Sequence, residues 1–420
     1  MATSVPNDDG AAAVLEAAAR LSGVVVHTGL EVNTRLSSAT GAKVLLKRED
    51  TQIGRSYKVR GAFNLISTLS DAERANSVVC ASAGNHAQGV AFACATLGIL
   101  GHIFLPSNTP RQKRDRVQAI GGPWVDIVVS GRSYDEANGS ATEFCARSGA
   151  VYVPAFDDPR TIAGQGTVAI EITDAWPAEH GTVVVPIGGG GLAAGMATWL
   201  RATRPGVRII GVEPEGAASM TAALAAGQPT SLPAIDSFVD GAAVGRVGDL
   251  TEPIVRDLVD EIVVVPEGAV ATEMLDLYQV DGVIAEPAGA LASAAARRFI
   301  ALSPDEQVVC VLSGGNNDVS RYAEVIERSL AGEGLRHYFL VTFPQEPGAL
   351  RAFLDDVLGH GEDIVVFEYV KKNNRETGPA LVGIDLSDPG DLDGLLTRMA
   401  ESGLAIERVP PGSPLFMFLL

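Results

Sequence analysis

The chain has 420 residues, room for two or three domains, and 46% of them are hydrophobic, enough for sizeable cores. Its formal net charge of -19 argues against a nucleic-acid or anionic-membrane partner, which would need clustered positive charge. The opening M-A-T-S-V-P-N-D-D-G has no basic stretch followed by an apolar core, so no signal peptide is expected.

In chain order, Val44–Leu46 reads as the first strand of an α/β layer. Lys58 follows in R-S-Y-K-V-R-G-A-F. Val59, Ala62, Phe63 and Ile66 have helical spacing, which puts Lys58 at the start of a helix with a buried face. The next strand, Ser77–Cys80, leads into Ser82-Ala83-Gly84-Asn85-His86 and an apolar helix. Small residues and Asn at such a junction either cap the helix or present backbone amides to a carboxylate. His102–Leu105 and Val125–Val129 are further strands.

Val183–Val185 is a buried strand that enters Gly188-Gly189-Gly190-Gly191, and Leu192 opens a helix. A glycine loop at a helix N-terminus gathers backbone N–H groups where the helix dipole favours negative charge, so it suits a phosphate. No Lys-[Ser/Thr] follows, so the loop is not a Walker motif, and it is not G-x-G-x-x-G with an acidic residue about 20 positions on, so a dinucleotide is a poor fit. A Cβ here is expected to obstruct the close approach of backbone to phosphate; a tight packing turn is the alternative reading. Residues 181–200 are uncharged, but Pro186 and the glycines divide them into strand, loop and helix, so no membrane span is expected. Val207–Val212, Ile262–Val265 and Val308–Leu312 complete the strands, the last leading into Ser313-Gly314-Gly315-Asn316. This alternation predicts parallel or mixed sheets covered by helices.

The character changes near 332–335. His337–Phe343, Ile364–Val370, Ala380–Leu386 and Leu404–Arg408 read as strands, and Gly348–Leu358 and Asp391–Ser402 as helices. That order, β-α-β-β-α-β, is ferredoxin-like. The expected domains are therefore 1–332, with a smaller subdomain at about 48–155, and 335–420.

The four cysteines, Cys80, Cys94, Cys145 and Cys310, form no C-x-x-C pair and read as buried thiols in a reducing compartment. A phosphate loop, a lysine at a strand-to-helix junction and a polar S-G-G-N are together the parts of a pyridoxal phosphate site. A hydroxyl facing the pyridine nitrogen would not keep the ring protonated, which suits β-elimination better than transamination.

S-Y-K-V-R-G-A, S-A-G-N-H-A-Q-G, I-A-G-Q-G-T-V-A, G-G-G-G-L and S-G-G-N, in this order, resemble the tryptophan-synthase-β-like, fold-type II pyridoxal phosphate enzymes, and among them the threonine dehydratases (threonine ammonia-lyases). The resemblance implies that Lys58 binds the cofactor covalently and that Asn85 bonds its ring hydroxyl. It further implies that Gly188 through Leu192 hold the phosphate, that Ser313 faces the pyridine nitrogen, and that Ser82, Ala83, Gly84, Asn85 and His86 hold the substrate carboxylate. H-Y-F-L-V-T-F-P-Q-E-P-G-A-L and F-E-Y-V-K-K-N-N-R-E-T-G-P-A-L-V-G-I are similar to a single ACT-like regulatory domain of the biosynthetic, short form. The implied activity is dehydration of L-threonine, and of L-serine less well, in a cytoplasmic homotetramer at the entry to isoleucine synthesis. Isoleucine and valine are the implied effectors, with Phe367 and Tyr369, in the segment 367–377, as candidate walls of their site. Glu213-Pro214 is followed by Ser219 where metal-using racemases carry an acidic ligand, so no metal is expected. A serine/threonine racemase, a threonine-synthase-like enzyme and a non-catalytic amino-acid sensor are the rival readings.

Overall fold

The computed structural model describes residues 8–369 and 376–419. They pack as two units. One holds the chain up to Pro266 together with Asp276–Asp318; the other holds Glu267–Leu275 and the chain from Val319 onward.

The first unit contains two sheets. The larger has the spatial order Leu30–Val32, Lys43–Arg48, Gln307–Leu312, Gly181–Pro186, Val207–Pro214, Glu261–Val265. All its pairs are parallel except the first, which is antiparallel. Its central strands are buried on both faces, which is why Val183–Val185 and Val308–Leu312 are unbroken apolar runs without alternation. The smaller sheet is parallel, in the order Val125–Val129, Gly101–Leu105, Val78–Ala81, Val151–Tyr152.

The helix Lys58–Ser67 lies against the helices Asn85–Leu97 and Pro159–Ala175. Its neighbours come close because they are glycine at the contact. A Cβ on Gly164 would stand 2.7 Å from the Arg60 carbonyl, and one on Gly89 3.1 Å from the Lys58 carbonyl. The lysine-bearing turn is thereby clamped by backbone rather than by side chains.

In the second unit the strands Asp363–Tyr369, Thr377–Asp385, Arg336–Pro344 and Ala405–Arg408 lie side by side in that order, all antiparallel. Phe339, Val341 and Phe343 alternate along one strand and pack against Phe353, Val357, Leu395 and Met399 of the helices Ala349–Val357 and Leu392–Glu401. On the opposite face Tyr338 and Val409 pack against Phe416 of the short helix Pro414–Leu419.

The fold class is as the sequence predicts. Leu30–Val32 and Val151–Tyr152 were not anticipated, since two or three residues carry no period, and neither was the six-residue helix Pro414–Leu419. The expected break near 332–335 falls inside the second unit, whose longer stretch runs from Val319. The physical reason is in the side chains: Glu327 of the helix Tyr322–Gly332 accepts from Tyr338 Oη at 2.6 Å and pairs with Arg336. Cys80, Cys94 and Cys310 are buried and in no disulfide, whereas Cys145 is only half-buried, because its helix Tyr134–Ser148 turns much of its surface to solvent. No described helix is long and apolar enough to cross a membrane.

Candidate active site

A cavity of about 940 Å³ opens between the two sheets of the first unit. Strand ends and helix N-termini converge on it, the usual place for a ligand in open α/β layers. Lys58, Ser82 through His86, and Gly188 through Leu192 all line it.

Lys58 begins its helix and donates from Nζ to the Ala155 carbonyl at 3.0 Å. Burial lowers its pKa to about 8, against the opposing pull of Glu286. An amine in that state is a base and a nucleophile at slightly alkaline pH.

On the other side of the cavity Gly190 is the N-cap of the helix Gly191–Thr203, with φ of +93° and no side-chain cap. The N–H groups of Gly191, Leu192 and Ala193 therefore fall in a first turn that has no intrahelical acceptors. Such an end suits an anion. The glycines have a further reason that the sequence did not show. A Cβ on Gly189 would lie 2.3 Å from the Phe156 ring, and one on Gly191 2.9 Å from the Phe156 Cβ. One on Gly190 would meet Met220 and Thr251 at 2.8 Å, and one on Gly188 would stand 3.0 Å from Ala242. A side chain here would therefore clash with protein, whatever it does to a phosphate. The Gly189 carbonyl is fixed by Thr251 Oγ1 at 2.6 Å.

Asn85 starts the helix Asn85–Leu97. It donates from Nδ2 to Glu286 Oε1 at 2.7 Å and accepts at Oδ1 from Asn316 Nδ2 at 2.6 Å. Ser82 Oγ accepts from the Gly84 N–H at 3.3 Å, a turn that shapes the loop. His86 is buried, with Nε2 2.8 Å from the Val153 carbonyl. A carbonyl only accepts, so Nε2 carries the proton. Burial, and then the Lys58 charge, push the His86 pKa down to about 4, leaving the ring neutral.

Ser313 is not part of the lining. It is 3% exposed and donates from Oγ to the Ala288 carbonyl at 3.2 Å. Its backbone carbonyl accepts from the Tyr57 N–H at 3.3 Å, next to Lys58.

The sequence reading missed Glu286, Ala155, Phe156, Tyr134, Arg116 and Asn317, which also line the cavity. Glu286 had a signal, an acid standing alone in the apolar run V-I-A-E-P-A-G-A-L. Burial, and then the Asp240 charge, raise its pKa to about 7. Lys113 and Asp240, 3.0 Å apart, form an ion pair at the cavity wall. Among the described residues no group of three His, Cys, Asp or Glu gathers to hold a metal ion. Glu213 instead accepts from the Met220 and Thr221 N–H groups at 2.6 and 2.8 Å, at the start of the helix Ser219–Ala226.

In the second unit Phe367 and Tyr369 are part of an aromatic cluster. Their rings lie 6.0 and 5.9 Å from Phe343, which also stacks edge-on with Phe353 at 5.3 Å. Residues 370–375 of the candidate effector segment lie outside the described residues.

The parts gathered in this cavity are those that pyridoxal phosphate requires: an uncapped helix end for its phosphate, a buried amine, and an amide donor. Comparison with known proteins points the same way. Residues 21–314 match the family described as pyridoxal-phosphate dependent enzyme, and residues 327–419 match the C-terminal regulatory domain of threonine dehydratase. The protein of Mycobacterium bovis named L-threonine dehydratase biosynthetic IlvA is 56% identical over 406 residues, which span 96% of this chain and 94% of that one. The solved structure of the processed form of threonine deaminase isoform 2 from Solanum lycopersicum superposes with a TM-score of 0.74 at 39% identity, covering 78% of this chain and 96% of that one. Maize serine racemase follows with a TM-score of 0.70 at 34% identity, covering 76% and 98%.

Proposed function

The chain belongs to the pyridoxal-phosphate dependent enzymes, among the biosynthetic threonine dehydratases, and on that premise we propose how its own residues divide the work. The reaction converts L-threonine to 2-oxobutanoate and ammonia. When bound, pyridoxal phosphate supplies the electron sink for charge developing at the substrate Cα.

Lys58 is the covalent anchor, and its amine is the general base that takes the Cα proton. The N–H groups of the loop Gly188–Leu192 hold the phosphate. Asn85 holds the ring oxygen; Ser313, for the place at the ring nitrogen that the resemblance gives it, has to turn its hydroxyl away from the Ala288 carbonyl. The segment from Ser82 to His86 holds the substrate carboxylate through backbone N–H groups, and neutral His86 keeps a second positive charge away from Lys58. L-serine reacts less well, since it lacks one methyl contact, a difference of roughly 10–200-fold. The observation that carries this reading is the buried Lys58 amine in one cavity with an uncapped glycine-rich helix end.

The catalytic part corresponds to the first unit. The chain after 335 is regulatory, takes isoleucine as inhibitor and valine as antagonist, and has Phe367 and Tyr369 near the effector. The enzyme acts as a cytoplasmic homotetramer; the buried thiols Cys80 and Cys94, which form no disulfide, support a reducing compartment. The regulatory segments speak against a racemase, which would not carry them.

An absorbance scan of the holoenzyme before and after threonine, with 2-oxobutanoate measured in parallel, tests the assignment. A bound cofactor band with turnover of threonine supports it. A band with racemised but undehydrated amino acid would favour the racemase reading.

A further inference from the structure

A carboxyl group buried in a cofactor cavity calls for a reason. Glu286 is 4% exposed and lines the cavity beside Asn85. It occupies the N-cap position of the helix Pro287–Arg298, yet its side chain makes no cap hydrogen bond. Its Oε1 is turned instead to Asn85 Nδ2.

One glycine makes room for that carboxyl: a Cβ on Gly314 would lie 2.2 Å from Oε1. The Glu286 backbone is tied to the same loop, its N–H donating to the Gly314 carbonyl at 3.1 Å.

Donors and acceptors along this chain of side chains fall in one order. Asn316 Nδ2 donates to the Gly54 carbonyl at 2.6 Å and to Asn85 Oδ1 at 2.6 Å. Asn85 Oδ1 is therefore engaged. The amide nitrogen of Asn85 carries two hydrogens, and Glu286 takes one. A donor therefore remains for the cavity, which suits an anionic ring oxygen.

We propose that Glu286 is a positioning residue, holding the Asn85 amide so that its remaining N–H donates to the cofactor's ring oxygen. This rests on the cofactor seat at Lys58 proposed above. The ionised carboxyl holds Asn85 by a charge-assisted bond, stronger than the bond from a neutral acid, which also brings a competing O–H donor. Burial places the change between the two forms near pH 7. The groups facing Glu286 are Asp240, which favours the neutral form, and Lys113, the Asn85 amide and the Asn316 N–H, which favour the ion. Lys58, Tyr57 and Arg116 also feel its charge.

The test is reconstitution of cofactor-free full-length protein with pyridoxal phosphate, followed by the visible absorbance of the bound cofactor between pH 6 and 8.5. Glu286→Gln keeps an acceptor for Asn85 and removes the charge. It is expected to bind the cofactor about five- to tenfold more weakly than wild type at pH 8.5 and equally at pH 6. Glu286→Ala, which keeps no acceptor, is expected to bind at least about tenfold more weakly at pH 8.5 and to stay weaker than wild type at pH 6. If Glu286→Ala does not fold, the Gln variant decides alone. A wild-type-to-Gln ratio that does not change with pH overturns the inference. Failure of wild type itself to develop the band, or a Lys58→Ala protein that develops it unchanged, would overturn the cofactor seat instead.

Discussion

Lys58 gains its chemistry from where it is held. Its amine is depressed to about 8 mainly by burial, so the neutral, attacking form grows as pH rises through that value. The rate at which cofactor-free protein develops visible absorbance should rise over pH 7–9 with a midpoint near 8, and Lys58→Ala should abolish both this absorbance and turnover of threonine. Stopped-flow absorbance across that range checks the first, and a 2-oxobutanoate assay the second. Gly189 illustrates a different constraint. Its Cβ would enter the Phe156 ring, so Gly189→Ala is expected to cost about 1–3 kcal/mol by overpacking. Phe156→Ala in the same chain should return part of that loss. Urea midpoints of the single and double variants measure it. Additive losses would mean that the ring is not what the glycine avoids.

At the scale of elements, the helix Lys58–Ser67 is fixed by a buried charge network as well as by glycine contacts. Arg60 donates to Glu49 at 2.8 Å and to Glu171 at 2.7 Å, and Lys47 Nζ lies 2.5 Å from Glu171. These groups join the strand Lys43–Arg48, the turn Glu49–Thr51 and the helix Pro159–Ala175 to the lysine-bearing helix. Lys47, Glu49 and Arg60 are at most 1% exposed, so removing one partner leaves a charge stranded. Arg60→Met is expected to lose about 3–5 kcal/mol of stability, read as a fall in the urea midpoint. Burial alone would raise the Glu171 pKa, but Arg60 and Lys47 outweigh it and hold the carboxyl below its ordinary value. The stability this lends is present above the ordinary carboxylate pKa and is lost as pH falls through the lower folded value. Wild type should therefore lose more stability than Glu171→Gln on acidification below about pH 4. None of this network was legible in the sequence, because its members are up to 124 residues apart and meet only in the fold.

For the whole molecule, regulation requires that an effector bind two states of the enzyme unequally. Deleting 335–420 is expected to leave threonine turnover measurable and to remove inhibition by isoleucine. The cut at 335 keeps the helix Tyr322–Gly332, against which residues 267–275 are packed: Gly268 would touch Gly332 with any Cβ, and Thr272 Oγ1 lies 2.9 Å from Ser329 Oγ. A cut at Val319 would strip those partners and is expected to lower stability as well. Isoleucine titrations of initial rate, with thermal unfolding of both truncations, decide it; a truncated enzyme still fully inhibited would place the effector elsewhere. The sequence by itself determined the α/β class, the ferredoxin-like tail, and the lysine, the glycine loop and the S-A-G-N-H segment. Each of these is a local pattern, a period or a run of residues whose chemistry does not depend on distant neighbours. Only the tertiary structure decided that Phe156 demands Gly189 and Gly191, that Glu286 faces Asn85 across 201 residues, that Ser313 turns to Ala288, and that Glu267–Leu275 joins the chain from Val319 in the second unit. Those are contacts between segments far apart in the chain, and burial, not composition, sets both their geometry and the ionisation of the groups involved.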